Sequence, residues 1–379
     1  MVLNVFDVAS TLVNHIKVNY REDIAIIAYY GSYAQGSASE RSDLDFFFIP
    51  ANSNGYRASI QFIIDDISFD FWPISWERAE RMASFEESFT TIIADCKLLY
   101  IRSDEDRERF MKLRDTISTL QEPENRQKLL EKSEAGLHDV YMSLYRMSRA
   151  GESDPIIFYR SEAQKVYSKV LQSLALLNQS YFTKGFGKNK EEILQYPLRP
   201  ARLEFYMDTI LRSVNSNDIL QACEQLTADT LELILAQKEK YTSAPSYPDR
   251  LKGFFEEVKG LLDKIITACE KKDLDTALFY AIHVQEEIAV FLYFAETGQW
   301  PSPLMTYSSY QDAYIQAGFP DLAARLNSHD LLPLKEGVQQ LSSQLESHLR
   351  AKGVEINRFP DLEQFEVFLK KAHEIGRER

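Results

Sequence analysis

Cysteine is scarce in this chain, and with it every feature of a thiolate-metal or disulfide scaffold. Three cysteines, Cys96, Cys223 and Cys269, are scattered over 379 residues with no Cys-x-x-Cys pair. Reduced, partly buried thiols in a cytoplasmic protein are the expectation. The six histidines (His15, His138, His283, His329, His348 and His373) are isolated, with no pair four residues apart. No zinc site is expected. Positive charge is also in deficit: 43 Lys and Arg face 57 Asp and Glu, for a net charge of -14. That balance argues against gripping long RNA or DNA as the main task. It leaves room for a small phosphorylated ligand held by metal ions and a few local cations. No apolar run reaches the roughly 18–20 residues of a membrane span. The N-terminus lacks a basic segment followed by an apolar one, so no signal peptide is expected. Internal repeats and low-complexity tracts are absent.

What is there is a folded globular composition, 45% hydrophobic and 12% aromatic, long enough for two or three domains. Apolar positions at Val5, Val8, Ala9, Leu12, Val13 and Ile16 predict an amphipathic helix over 3–19. Strands are predicted at Ile24–Tyr30, Leu44–Ile49 and Ile67–Trp72, with a short last one at Lys97–Ile101. Trp76–Ala83 reads as a helix capped by Ser75. Arg102–Arg109 reads as a solvated helix face. From about residue 105 helical periodicity takes over: 129–147, 161–178, 201–213 and 217–240. Thr242–Pro248 is the clearest linker. Beyond it long helices start near 251 and 274, with two more near 332–351 and 361–375 and a Pro- and Tyr-rich connection from Gly298 to Phe319.

One stretch is chemically loaded. An apolar run ends in Gly31-Ser32, a small polar segment follows, and Ser42-Asp43-Leu44-Asp45 opens the second apolar run. On one strand Asp43 and Asp45 would share a face, because side chains alternate with period two. Asp70 lies inside the alternating run of the third strand, whereas Asp65 and Asp66 read as a turn or exposed edge. Paired carboxylates beside a Gly-Ser turn suit metal-assisted phosphate chemistry. Hard Mg²⁺ takes oxygen ligands and needs only one or two carboxylates per ion. Two ions about 3.5–4 Å apart can stabilise attacking and leaving oxygens together. Asp70 could complete a second metal site or take the acceptor's proton. Gly31-Ser32 would let the backbone and a hydroxyl approach phosphates closely.

Gly31-Ser32, Ser42-Asp43-Leu44-Asp45 and Asp70 together resemble the nucleotidyltransferase superfamily with a DNA polymerase β-like core. Gly36 and the Ser-Asp-x-Asp form are most similar to the aminoglycoside and lincosamide nucleotidyltransferases. The segments 176–182 and 196–200 resemble, more weakly, the helical domains found beside such cores. The resemblance implies an α+β fold, a small mixed-sheet nucleotidyltransferase core (1–120) followed by all-helical domains (121–243 and a C-terminal bundle, 244–379). It implies Asp43, Asp45 and Asp70 as catalytic metal ligands, and Gly31, Ser32 and Ser42 at the nucleotide, Ser42 as an orienting or capping residue. Lys184 and Lys188, in a glycine-containing loop, could reach the triphosphate; Lys165 and Lys169 share a helix face and are weaker candidates. The implied reaction is Mg²⁺-dependent transfer of a nucleoside monophosphate, AMP from ATP, to a hydroxyl of a small-molecule acceptor, with release of pyrophosphate. An acidic cleft would suit a polycationic aminoglycoside. Transfer to a protein or RNA end, and a non-catalytic nucleotide-binding role, are the alternatives. Glu162 as an acceptor-side base, and base stacking on Trp300, Tyr307, Tyr310 and Tyr314, are lesser ones. Neither a membrane nor a nucleic-acid partner is indicated. Acceptor, preferred nucleotide, oligomeric state and the role of the C-terminal bundle stay open.

Overall fold

The computed structural model describes residues 4–39, 42–151, 154–185, 187–304 and 308–375. The chain divides into two compact units, Met1–Tyr241 and Thr242–Arg379. The predicted linker begins at this division, while residue 120 falls inside the first unit.

The first unit opens with helix Val5–Asn19, whose Asn4 side chain accepts from the Phe6 N–H. Five strands follow: β1 (Ile24–Tyr30), β2 (Asp45–Pro50), β3 (Ile60–Ile64), β4 (Ile67–Pro73) and β5 (Lys97–Ile101). Their order in the sheet is β3-β4-β2-β1-β5. The β2–β4 pair is parallel, and β1–β2, β1–β5 and β3–β4 are antiparallel. The mixed sheet followed by helices makes the fold α+β. Alternation along the strands splits the core in two. Phe46, Phe48, Phe69 and Phe71 pack with Val5, Val8 and Ile16 of the first helix. Phe47, Ile49, Ala25 and Ala28 face Ile74, Met82, Ile93, Phe110 and Leu113 on the other side. Burying each such large side chain contributes about 1.5–3 kcal/mol.

Strand β3 was not foreseen, because Ile60, Ile63 and Ile64 are exposed at the sheet edge and show no alternation. It forms a hairpin with β4 through Asp65 and Asp66, both in the left-handed region (φ 50° and 60°). Two successive positive φ values are what a two-residue hairpin turn demands, and Asp tolerates them better than most side chains. The helix Trp76–Ala83 starts where expected, with the Arg78 N–H donating to the Ser75 hydroxyl at 3.1 Å. The charged run after it is not all solvated. Asp106 is buried and takes the Arg102 guanidinium at 2.8 Å within helix Asp104–Leu120.

The helix expected across 129–147 is two, Arg126–His138 and Val140–Arg149. Asp139 between them keeps φ -66° and ψ -20°, so the interruption is a local unwinding. The apolar stripe runs on through Val140, Leu144 and Met147, which is why periodicity did not betray it. Helices Ile156–Leu177, Leu203–Arg212 and Ser216–Lys238 complete the unit.

The second unit packs helices Phe254–Lys271, Leu274–Thr297 and Leu332–Ala351 around Val258, Leu262, Val284, Ile288, Val338 and Leu341. The supposed Pro-Tyr connection contains helix Ser308–Gln316. Contrary to expectation, Leu274–Thr297 is long and apolar enough to cross a membrane by length and composition. Here one face of it, Ala277 to Ala295, lines the unit's core. Trp300 stacks on Phe294 at 4.3 Å, and the Tyr314 hydroxyl donates to the Pro320 carbonyl at 2.7 Å. These contacts are internal packing, and Tyr307 lies outside the described residues. All three cysteines are buried and unpaired.

Candidate active site

The site grows out of the edge where β1 hands over to the Gly-Ser turn. Tyr30 ends β1 directly opposite Asp45, the first residue of β2. Gly31–Ala34 makes a single helical turn beyond it. Gly31 holds φ +73°, and a Cβ built there would fall within the Asp45 carboxylate. Glycine is required here twice over, by its backbone and by the acid lying against it.

Phe46 pairs with Phe71 in the parallel β2–β4 register. Asp45 and Asp70, one residue before each, therefore stand side by side on the same face. Gln61, opposite Asp70 on β3, donates its side-chain amide to Asp70 Oδ1 at 2.7 Å. Asp43 stands in the loop ahead of β2 rather than on the strand, since β2 begins at Asp45. That loop is shaped by Ser42, whose hydroxyl accepts the Ser39 N–H at 2.9 Å.

The electrostatics single out Asp45. Burial, then the charges of Asp43 and Asp70, push its pKa up to about 6. Among the described residues none donates a hydrogen bond to the Asp43 or Asp45 carboxylates. The neighbouring Tyr30 phenol is pushed to about 12 by burial and then by Asp45, Asp70 and Asp43, against the lowering effect of the Trp72 indole N–H donated to it at 3.3 Å. So three acids share one field, and among the described residues no cation pairs with them. Concentrated, uncompensated charge of this kind marks functional sites more often than structural ones. The three are not gathered as a closed ligand set: among the described residues no group of three or more His, Cys, Asp or Glu is placed to hold a metal.

Ser32 is half-buried in the turn. Gln35, just after it, donates its side-chain amide to the Thr183 carbonyl, which ties the turn to the loop carrying Lys184 and Lys188. Both lysines are exposed and neither forms an ion pair among the described residues. Lys184 lines a cavity of about 410 Å³ between the 85–91 segment and helix Ile156–Leu177, and Lys188 does not. The weaker candidates are engaged elsewhere: Lys165 binds Glu162 and Lys169 binds Asp139, each at 2.8 Å. Glu162 is 3% exposed and takes Arg146 as well as the Ser143 hydroxyl. Burial raises its pKa, but the bonds from Lys165 and Ser143 and the two cationic charges outweigh that and lower it. A carboxylate so held is a structural anchor and a poor base.

Sequence reasoning missed Tyr30 and Gln61, which border the acids, and Asn189, which lines the cavity. Register alone could have found the first two. Nothing marks an isolated Asn in a glycine-containing loop.

Residues 107–240 match the KNTase C-terminal domain, a nucleotidyltransferase family. The match covers about a third of the chain, begins inside helix Asp104–Leu120 and ends at the close of the first unit. Among solved structures, the crystal structure of a nucleotidyltransferase-like protein from Exiguobacterium sibiricum 255-15 aligns with 12% identity and a TM-score of 0.35. The alignment covers 60% of this chain and 74% of that one. No curated protein matches the chain.

Proposed function

We propose that the first unit is a Mg²⁺-dependent nucleotidyltransferase, moving AMP from ATP to a hydroxyl of a small-molecule acceptor. The observation that carries this reading is the Asp45 carboxylate, seated against Gly31 and raised toward neutrality by burial and then by Asp43 and Asp70. The KNTase C-terminal domain match over the adjoining helices supports it.

The donor set fits a divalent cation. Oxygen ligands suit Mg²⁺, one or two carboxylates suffice, and the strain of like charges on Asp45 is what a cation relieves. Asp43 and Asp45 would hold it, with Asp70 at its margin. When bound, Mg²⁺ neutralises triphosphate charge and that of the attacking and leaving oxygens.

The chain's own residues do the rest. The bare Gly31 backbone and the Ser32 hydroxyl let the triphosphate approach. Asp70, exposed and oriented by Gln61, receives the acceptor hydroxyl's proton. The acceptor oxygen bonds to the α-phosphorus, the bond to the β-phosphate oxygen breaks, and pyrophosphate leaves. Lys184 and Lys188 offer positive charge from the facing loop.

The test is pyrophosphate release with each nucleoside triphosphate, screened against aminoglycosides, lincosamides, tRNA and protein extracts. Release that depends on a small hydroxylated molecule supports the reading. Release only with tRNA or protein moves the acceptor class, and tight metal-independent nucleotide binding without release favours a non-catalytic role.

A further inference from the structure

The 410 Å³ cavity lined by Lys184 has a chemistry of its own. Its size is that of a drug-sized ligand site. One wall is aromatic: Phe85, Phe89 and Tyr181. Phe85 and Phe89 both hold left-handed backbones, φ 62° and 80°. Their segment is thus fixed in a costly conformation that puts two rings at the cavity. The facing wall is the neutral polar side of helix Ile156–Leu177, with Gln164, Ser168 and Gln172 at four-residue intervals.

The charge inventory is short. Glu87 is the one carboxylate among the lining residues, and Arg78 and Arg81 both donate to it at 2.9 Å. Lys165 and Lys169 are paired with Glu162 and Asp139. Among the described residues Lys184 alone of the lining cations has no ion pair. Against the expected acidic cleft, none of the described lining residues offers a free carboxylate to a cation.

Asn189 lines the cavity but is 2% exposed, and its Nδ2, without a hydrogen-bond partner among the described residues, is sealed from solvent. One contact links the cavity's loop to the transfer site: the Gln35 amide bonds the carbonyl of Thr183, between the lining residues Phe182 and Lys184.

We propose that this cavity is the acceptor pocket and that the acceptor is a ring-bearing hydroxylated molecule without net positive charge. Its flat apolar face lies on Phe85, Phe89 and Tyr181, and its polar groups meet Gln164, Ser168 and Gln172. Polycations are refused, having only Lys184 and paired ions to meet. This rests on the transferase reading for the word acceptor, while the pocket itself stands on geometry.

The experiment is calorimetric binding to the full chain, without nucleotide or Mg²⁺. The probes are chloramphenicol, a neutral hydroxylated aryl amide, and kanamycin, a polycation. The expected result is one chloramphenicol site, weakened at least tenfold by Gln172→Leu and abolished by Ser168→Trp, with no competition from kanamycin. Ser168 is a half-exposed helix position, so its variant tests the pocket even if Gln172→Leu fails to fold. No chloramphenicol binding, displacement by kanamycin, or indifference to Ser168→Trp overturns the proposal. Binding as expected in a chain that releases no pyrophosphate sinks the transferase reading alone. Transfer to kanamycin, unaffected by Ser168→Trp, sinks the pocket alone.

Discussion

The Asp45 carboxylate occupies the space that a side chain at Gly31 would need. A turn residue and a strand residue, fourteen positions apart in the chain, are thereby locked into one geometry. Gly31→Ala should both strain a left-handed backbone (φ +73°) and push Asp45 away. The expected cost is about 2 kcal/mol of stability, read by urea unfolding. Because a misplacement of that kind is costly for chemistry, turnover per folded molecule should fall roughly a hundredfold. Wild-type turnover in this variant would show that the Gly31–Asp45 contact has no catalytic consequence.

The raised pKa of Asp45 has a signed consequence for stability. Its folded value, about 6, lies above the ordinary 3.8. Above pH 6 it is ionised in both states and the folded state bears the full cost of burial and of repulsion by Asp43 and Asp70. As pH falls through 6 the folded state takes up a proton first, and this group's penalty fades toward about pH 4. Asp45→Asn should therefore stabilise the fold at pH 8, by on the order of 1 kcal/mol once solvent screening is allowed for. Thermal melts from pH 4 to 8 check this, and an effect that grows toward acid would contradict it.

Asp70 is assigned the acceptor's proton. Asp70→Asn should lower kcat by about 10²–10⁴ while the nucleotide KM stays within about threefold. Gln61→Ala should act in the same direction and more weakly, since it removes only the 2.7 Å hydrogen bond that orients Asp70. Equal losses in kcat and nucleotide affinity would make Asp70 a metal ligand instead.

Glu162 should prove structural. Its 3% exposure and its bonds to Ser143, Arg146 and Lys165 mean that Glu162→Ala removes a buried hydrogen-bonded acceptor from a buried hydroxyl and two half-exposed cations. About 1–3 kcal/mol of stability should be lost. Its lowered pKa gives the opposite sign from Asp45: the contribution is present above the unfolded carboxylate value and is lost as pH falls through the folded one. Kinetic constants per folded molecule should stay at wild-type level, and a selective fall in kcat would restore it as a base.

How legible all this was in the sequence depends on the kind of residue. β1 and β5, and the Ser75 cap, were readable because local chemistry and burial agree there. Strand β3 was hidden because an exposed edge strand needs no alternation. The break at Asp139 was hidden because both helices keep one stripe. Within the site, Asp43, Asp45 and Asp70 stood out by type and spacing. Their crowding, and the contact of Asp45 with Gly31, come from sheet register, which one chain's periodicity does not state. Asn189 was illegible, since an unpartnered amide is defined only by what surrounds it.

The central claim is that Asp43 and Asp45 hold the metal for nucleotidyl transfer. Its most direct test is Mg²⁺-dependent pyrophosphate release by the wild type, Asp43→Asn and Asp45→Asn, each shown folded by its unfolding transition. The account predicts release that rises with Mg²⁺ in the wild type and stays at background in both variants. Full activity in either variant would contradict it.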